Sequence, residues 1–373
     1  MPPRWILWST AGLSLAAGAW LSLDPTRLAD FALVMAWVRD WRDGVTPFTP
    51  EIGADYPPWA LVTLVPLAWI PEAPRAPLWI AANLALAVYI ARALTREVPA
   101  SDTRAWLIPA LLCVASVRTL GQFSLLSFAF ALAGAATRSP AAGGLWLGLA
   151  LMKPQVGGAI WLAHACLRDW RRVAVAAAVP IILTLGCAWG LGQSPLRVLR
   201  DYAGVLNSTH GGASPFLGHT ELEAWLWHLF GAGTSLPAAA ALTAAMLAPL
   251  IVATFRQRPS APEGILEWYG FCGVVSLLAT RHLSYDLILL LPLVVSWVAW
   301  PARRGGAGLA LLSWLILYPP AWWRRVFAPL GAPDAFAVVT ELDRVICLAL
   351  WVVMAWSLVR RNKMTRHESA ASV

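Results

Sequence analysis

The sequence predicts an all-α protein, a polytopic membrane helix bundle with about 12 spanning helices. Three observations carry this. Of the 373 residues, 59% are hydrophobic and only 13% charged, against about 25% charged in a soluble domain. The apolar stretches are numerous and long enough for helices, unlike the alternating strands of about ten residues in an outer-membrane barrel. Finally, when the stretches are threaded through a bilayer, the basic connections collect on one side.

The spans are expected at residues 5–23, 76–94, 105–120, 122–137, 141–153, 155–167, 173–192, 236–255, 264–280, 283–300, 306–322 and 335–359, within one integral-membrane domain, 1–373. Arg4 ahead of the first span reads as a signal anchor, because no small-residue cleavage site follows. Segment 58–70 (PWALVTLVPLAWI) is also apolar, but it has 13 residues and is bounded by Pro57-Pro58 and Pro71. That length suits an interfacial or re-entrant helix. Residues 24–75 then form a first outer loop carrying interfacial or re-entrant helices, and 193–235 is the longest outer loop.

Charge decides the status of 58–70. With the N-terminus cytoplasmic and 58–70 left out, the inner side holds Arg4, the arginines of 92–104, Arg138, those of 168–172 and 256–258, Arg303-Arg304 and the basic run 360–366. These are 16 of the 28 basic residues, against six of the 20 acidic ones. The outer side is left slightly acidic, as the positive-inside rule expects. Counting 58–70 as a span would send the arginines of 92–104 and every later basic connection outside. The sequence therefore predicts a multi-pass protein of the cytoplasmic (inner) membrane with both termini cytoplasmic. The net charge of +8 becomes a topology signal facing anionic lipid. It lacks the concentrated basic face of a nucleic-acid binder.

Metal and nucleotide chemistry find no motif. The five cysteines (Cys113, Cys166, Cys187, Cys272 and Cys347) each lie in an apolar segment without CxxC or Cys/His spacing, and read as small packing residues. There is no GxxxxGK[ST], no GxGxxG after a strand and no DxD pair. No cofactor and no metal are expected.

The polar clusters gather on the outer side. Asp30 follows the first span, and a carboxylate at the mouth of a membrane bundle is read first as functional. Residues 30–42 (DFALVMAWVRDWR) carry apolar residues at helical spacing and predict a short interfacial helix with Asp30 at its start. The position suits a catalytic base; it equally suits a helix cap or a solvated loop charge. Asp55 is the reserve carboxylate, and Tyr56-Pro57-Pro58 is the turn that folds 58–70 back. Lys153-Pro154-Gln155 interrupts an apolar stretch, and an ammonium there needs an anionic partner, a lipid phosphate or a neighbouring carboxylate. Arg281-His282-Leu283-Ser284-Tyr285-Asp286 puts charge between two apolar helices: Arg281 and His282 can hold a phosphate, and Asp286 can orient His282 or bind a sugar hydroxyl. An ordinary capped junction is the alternative. The loop residues His210 and His219 lack a third ligand at zinc spacing, and His219 reads as substrate-facing. Glu341, Asp343 and Arg344 read as a structural charge cluster.

Taken in order, these residues resemble glycosyltransferase family 87, the polyprenyl-phosphate-mannose-dependent mannosyltransferases of the GT-C type. The matching elements are Asp30-Phe31 after the first helix, Tyr56-Pro57-Pro58 with Pro66-Leu67, Gly121-Gln122 at a helix start, and Gly148 ahead of Lys153-Pro154. The resemblance covers roughly residues 24–300. His219-Thr220-Glu221-Leu222 stands where the family often has an Asn-Gln-Ser-Leu-like stretch, and Ala279-Thr280-Arg281-His282 replaces a Ser/Pro-rich junction. The resemblance implies a membrane hexosyltransferase moving a sugar, mannose in the family, from a polyprenyl-phosphate carrier to a glycolipid or glycan at the outer face. By it Asp30 is the general base, and Gln122, Lys153, Arg281 and His282 contact the donor phosphate or sugar. Asp55, Tyr56, Asp286 and His219 serve the acceptor or act secondarily. A transporter or flippase of a lipid-linked sugar would share the outward polar cavity, but no persuasive internal repeat accompanies it.

Overall fold

Proline sets many of the helix boundaries of this chain. Pro58, Pro140, Pro154, Pro195 and Pro262 each open a helix, at the one position where a missing N–H and a fixed φ cost nothing. The computed structural model describes residues 4–22, 28–96, 98, 105, 107–113, 122–210, 244–249, 251–252, 259, 262–279, 284–300 and 345–356. Among the described residues the regular structure is entirely helical. The helices are α1 (Arg4–Ser22), α2 (Ala29–Arg42), α3 (Pro58–Ala68), α4 (Glu72–Thr95), α5 (Phe123–Ala136), α6 (Pro140–Ala150), α7 (Pro154–Cys166), α8 (Trp170–Gly190), α9 (Pro195–His210), α10 (Pro262–Ala279), α11 (Leu291–Ala299) and α12 (Val345–Trp356).

Helices α4 and α8, with 24 and 21 residues, are long and apolar enough to cross a membrane. Helix α3 has 11 residues, about 16 Å at 1.5 Å per residue, roughly half a hydrocarbon core of about 30 Å. Helices α6 and α7 are also short, with 11 and 13 residues, because residues 151–153 form a turn that shortens the first of the two expected spans. The expected span 306–322 lies outside the described residues, and 105–120, 236–255 and 335–359 are described only in part.

Two local structures differ from expectation. The predicted loop 193–235 begins with a helix, α9. Ser194 accepts from the Arg197 and Val198 N–H groups, Pro195 follows, and Val198, Tyr202 and Val205 share one face at i, i+4 and i+7, with both valines buried. This is ordinary helix-start chemistry ahead of an apolar stripe. The expected span 283–300 begins as a 3-10 helix, Ser284–Leu290, before α11 takes over. Such a run is longer than the usual three or four residues.

The chain forms two compact units, one from Met1–Arg96, Ala105–Trp161 and Trp170–Ser214, the other from Glu97–Arg104, Leu162–Asp169 and Pro215–Val373. In the first, α5 packs on α4 and α6, while α8 packs on α3 and α6. Glycine makes the α6–α8 contact possible. A methyl at Gly144 would fall 2.6 Å from Val175 Cβ, and one at Gly148 would fall 2.5 Å from Val179 Cβ and 2.9 Å from the Ala176 carbonyl oxygen. The pair is a small-xxx-small face of the kind membrane helices use for close approach. Gly148→Ala therefore overpacks this contact and destabilises the solubilised protein by about 2 kcal/mol, seen as a lowered thermal midpoint. Arg75 closes the C-terminal end of α3, its Nε and Nη2 donating to the Ile70 carbonyl at 3.0 and 2.7 Å.

In the second unit α10 meets the Ser284–Ala299 stretch through Gly270 against Leu293 and Gly273 against Leu289. Buried His164 there lies 3.5 Å from Asp169 and 3.3 Å from the Tyr269 hydroxyl.

Candidate active site

Gln122 stands just ahead of α5 with extended backbone, and its side chain does not cap the helix. Its amide Nε2 instead donates to Asp30 Oδ2 at 3.1 Å, across 92 residues of sequence. Asp30 sits in the first turn of α2, where the helix N-terminus favours a carboxylate. It is not the cap: Leu28 holds that position, and its side chain makes no capping hydrogen bond. The carboxylate is exposed.

The next residue inward fixes that carboxylate in space. Phe31, 4% exposed, stacks on Trp79 of α4 at 5.0 Å and 11°, and on Phe123 of α5 at 5.9 Å. Trp79 and Phe123 are 4.8 Å apart, and Tyr56 meets Phe123 edge-on at 5.7 Å. Three helices and the Tyr56-Pro57-Pro58 turn thus converge on one aromatic cluster. Such pairs add about 0.5–1.5 kcal/mol each beyond area burial. Burial of Phe31, Val34, Met35, Trp37 and Val38 seats the remaining face of α2.

The predicted ammonium is bonded two residues further along the same helix start. Lys153 lies in the turn between α6 and α7 and is 4% exposed. Its Nζ donates to Ser124 Oγ at 2.5 Å. Its carbonyl accepts from the Val156 and Gly157 N–H groups, both at 2.9 Å, so the turn is tied into α7. Trp59 of α3 donates its indole N–H to the Leu151 carbonyl at 2.7 Å, and Gly157 packs directly on the backbone of Ala150. A carboxylate and an ammonium are therefore held by Gln122 and Ser124, two residues apart. Both residues stand at the start of a helix, where the dipole favours an anion.

Asp55 is exposed, and its carbonyl accepts from the Tyr202 hydroxyl of α9 at 3.3 Å. Burial pushes the Tyr202 phenol upward, and the Asp55 charge adds to the rise. Tyr56, the neighbour of Asp55, touches the Phe123 ring, so this loop borders the cluster. Asp286 belongs to the second unit, 1% exposed in the 3-10 stretch. His219, Arg281 and His282 lie outside the described residues. Sequence reasoning missed Trp79, Phe123 and Ser124. Trp79 and Phe123 sit in uniformly apolar stretches where no periodicity separates them from lipid-facing residues. Ser124, directly after Gly121-Gln122-Phe123 at a predicted helix start, was the available signal.

The glycosyltransferase family 87 model matches residues 55–280, more than half of the chain and narrower than the expected 24–300. The match takes in Asp55, Tyr56, Gln122, Lys153 and His219; Asp30 precedes it and is joined to it through Gln122. No curated protein and no solved structure matches the chain. On the strength of the family match, the chain belongs to glycosyltransferase family 87 and is a membrane glycosyltransferase, taking a sugar donor and an acceptor in a membrane.

Proposed function

We propose that this transferase moves a hexose, mannose by the family resemblance, from a polyprenyl-phosphate carrier to a glycolipid or glycan at the outer face of the cytoplasmic membrane. The observation that carries the proposal is the pairing around one helix start: Asp30 on Gln122, Lys153 on Ser124, two residues apart. In this mechanism the acceptor hydroxyl oxygen attacks C1 of the sugar while Asp30 takes its proton. The C1–O bond to phosphate breaks, its electron pair stays on the phosphate oxygen, and polyprenyl phosphate departs with inversion at C1. Lys153 and the N–H groups at the start of α5 offset the charge developing on that phosphate; Arg281 and His282 are assigned to the donor by the family resemblance alone. Phosphate leaves readily, so no second carboxylate is needed as an acid. Asp55, Tyr56, Asp286 and His219 are assigned to the acceptor side or to secondary roles.

The architecture that goes with this is a GT-C-like bundle of about 12 spans with both termini cytoplasmic. It forms one integral-membrane domain, 1–373, with 24–75 and 193–235 as its outer loops. The outward site explains the donor. Cytoplasmic nucleotide sugars do not reach that face, whereas a lipid-borne sugar enters the bundle sideways. Membranes carrying the protein should label product from radiolabelled polyprenyl-phosphate mannose and not from GDP-mannose once endogenous carrier synthesis is blocked. Labelling from the nucleotide sugar alone would reverse the assignment.

A further inference from the structure

We propose that Gln122-Phe123-Ser124 is a positioning element for both base and cation, Gln122 acting through Asp30 and Ser124 acting through Lys153. The inference rests on the roles given above to Asp30 and Lys153. It assigns Gln122 to the base in place of the donor contact expected from sequence, and it gives Ser124 a role that no motif carried.

The geometry favours this. Asp30 is exposed on a two-torsion side chain, and without a tether its carboxylate would sample several rotamers. The bond from Gln122 Nε2 engages Oδ2 and restrains that rotamer. Lys153 has four side-chain torsions and three donors. The bond to Ser124 Oγ fixes the ammonium beside the first turn of α5. Between the two, Phe123 is fully buried and stacked against Phe31, Trp79 and Tyr56. The element therefore cannot slide along either neighbour. A misplacement of about 1 Å in such a constellation can cost on the order of 10²-fold in rate, so a rigid two-residue spacing has catalytic consequence.

The two ends predict different kinetic signatures. Gln122→Leu frees the base but leaves the cation in place: kcat falls by about 10–100-fold, while KM for polyprenyl-phosphate mannose stays within about twofold. Ser124→Ala loosens the cation. With the ammonium no longer held in place, binding of sugar-free polyprenyl phosphate to the purified full chain weakens by about 10–100-fold. Ser124→Thr keeps the hydroxyl and restores binding to near the wild-type level. Thermal midpoints of each solubilised variant report folding, and should Ser124→Ala fail to fold, the Gln122→Leu and Ser124→Thr arms still decide. The inference is overturned if both ends change kcat and binding alike, if folded variants change neither, or if Thr restores nothing. Wild-type protein that binds polyprenyl phosphate but transfers no mannose contradicts the proposed donor, and leaves the Ser124 arm to be judged on binding. Wild-type protein that does not bind polyprenyl phosphate contradicts both.

Discussion

Asp30→Asn lowers sugar transfer by about 10²–10⁴-fold, the range a positioned general base supplies, while donor binding and protein level stay near wild type. Asparagine preserves the shape of the side chain and can still accept from Gln122 Nε2 through its carbonyl oxygen, so the α2–α5 contact survives. What it lacks is a basic oxygen for the acceptor proton. The aromatic cluster behind it is untouched, because Phe31, Trp79 and Phe123 make no polar contact with the carboxylate among the bonds described. The effect therefore belongs in kcat. Asp55→Asn, applied to the reserve carboxylate, should stay within about tenfold of wild type. If the two variants exchanged magnitudes, the base would be Asp55, which lies inside the matched residues 55–280.

Lys153→Met gives the second large effect, a loss of about 10²–10³-fold in kcat/KM, comparable to removing one donor from a charge-stabilising site. Methionine fills nearly the same volume without a charge, and trading a buried ammonium for a flexible apolar chain is mild for packing. The loss should thus appear with little change in thermal midpoint. It should also appear in the binding of polyprenyl phosphate, because a phosphate is present both before and after transfer. Lys153→Arg rescues only partly: Lys153 is buried, and a planar guanidinium is not interchangeable with a compact ammonium.

Much of the outline was legible before any coordinates, and the reasons are physical. A carboxylate after the first span and a lysine between two prolyl-started helices are expensive at a membrane boundary, so they stand out against an apolar background. The proline at each helix start marks a boundary without reference to tertiary contacts. The bond between Asp30 and Gln122 could not be read, because 92 residues separate the partners and neither carries a local signal of the other. The same holds for the Phe31–Trp79–Phe123 stack, whose members come from three helices. Helix α9 was hidden by polarity: Arg197, Arg200 and Asp201 made 193–235 look like a loop, although Ser194-Pro195 and the Val198–Tyr202–Val205 stripe carried the helical signature. The expected spans 141–153 and 155–167 were already short; the end of α6 at Ala150 was not legible, because residues 151 and 152 are apolar but turn. Gly148, seen in sequence only as a motif position, acquires its reason from Val179 on the facing helix.

A dual-label transfer experiment tests the central claim most directly. Polyprenyl-phosphate mannose carrying one isotope in the sugar and another in the lipid is given to purified protein in lipid vesicles with a glycolipid acceptor. The predicted result is sugar label in a new glycosidic product and lipid label recovered as free polyprenyl phosphate, with both changes abolished by Asp30→Asn. Labels that move together across the bilayer, or a product that forms equally well with Asp30→Asn, would contradict it.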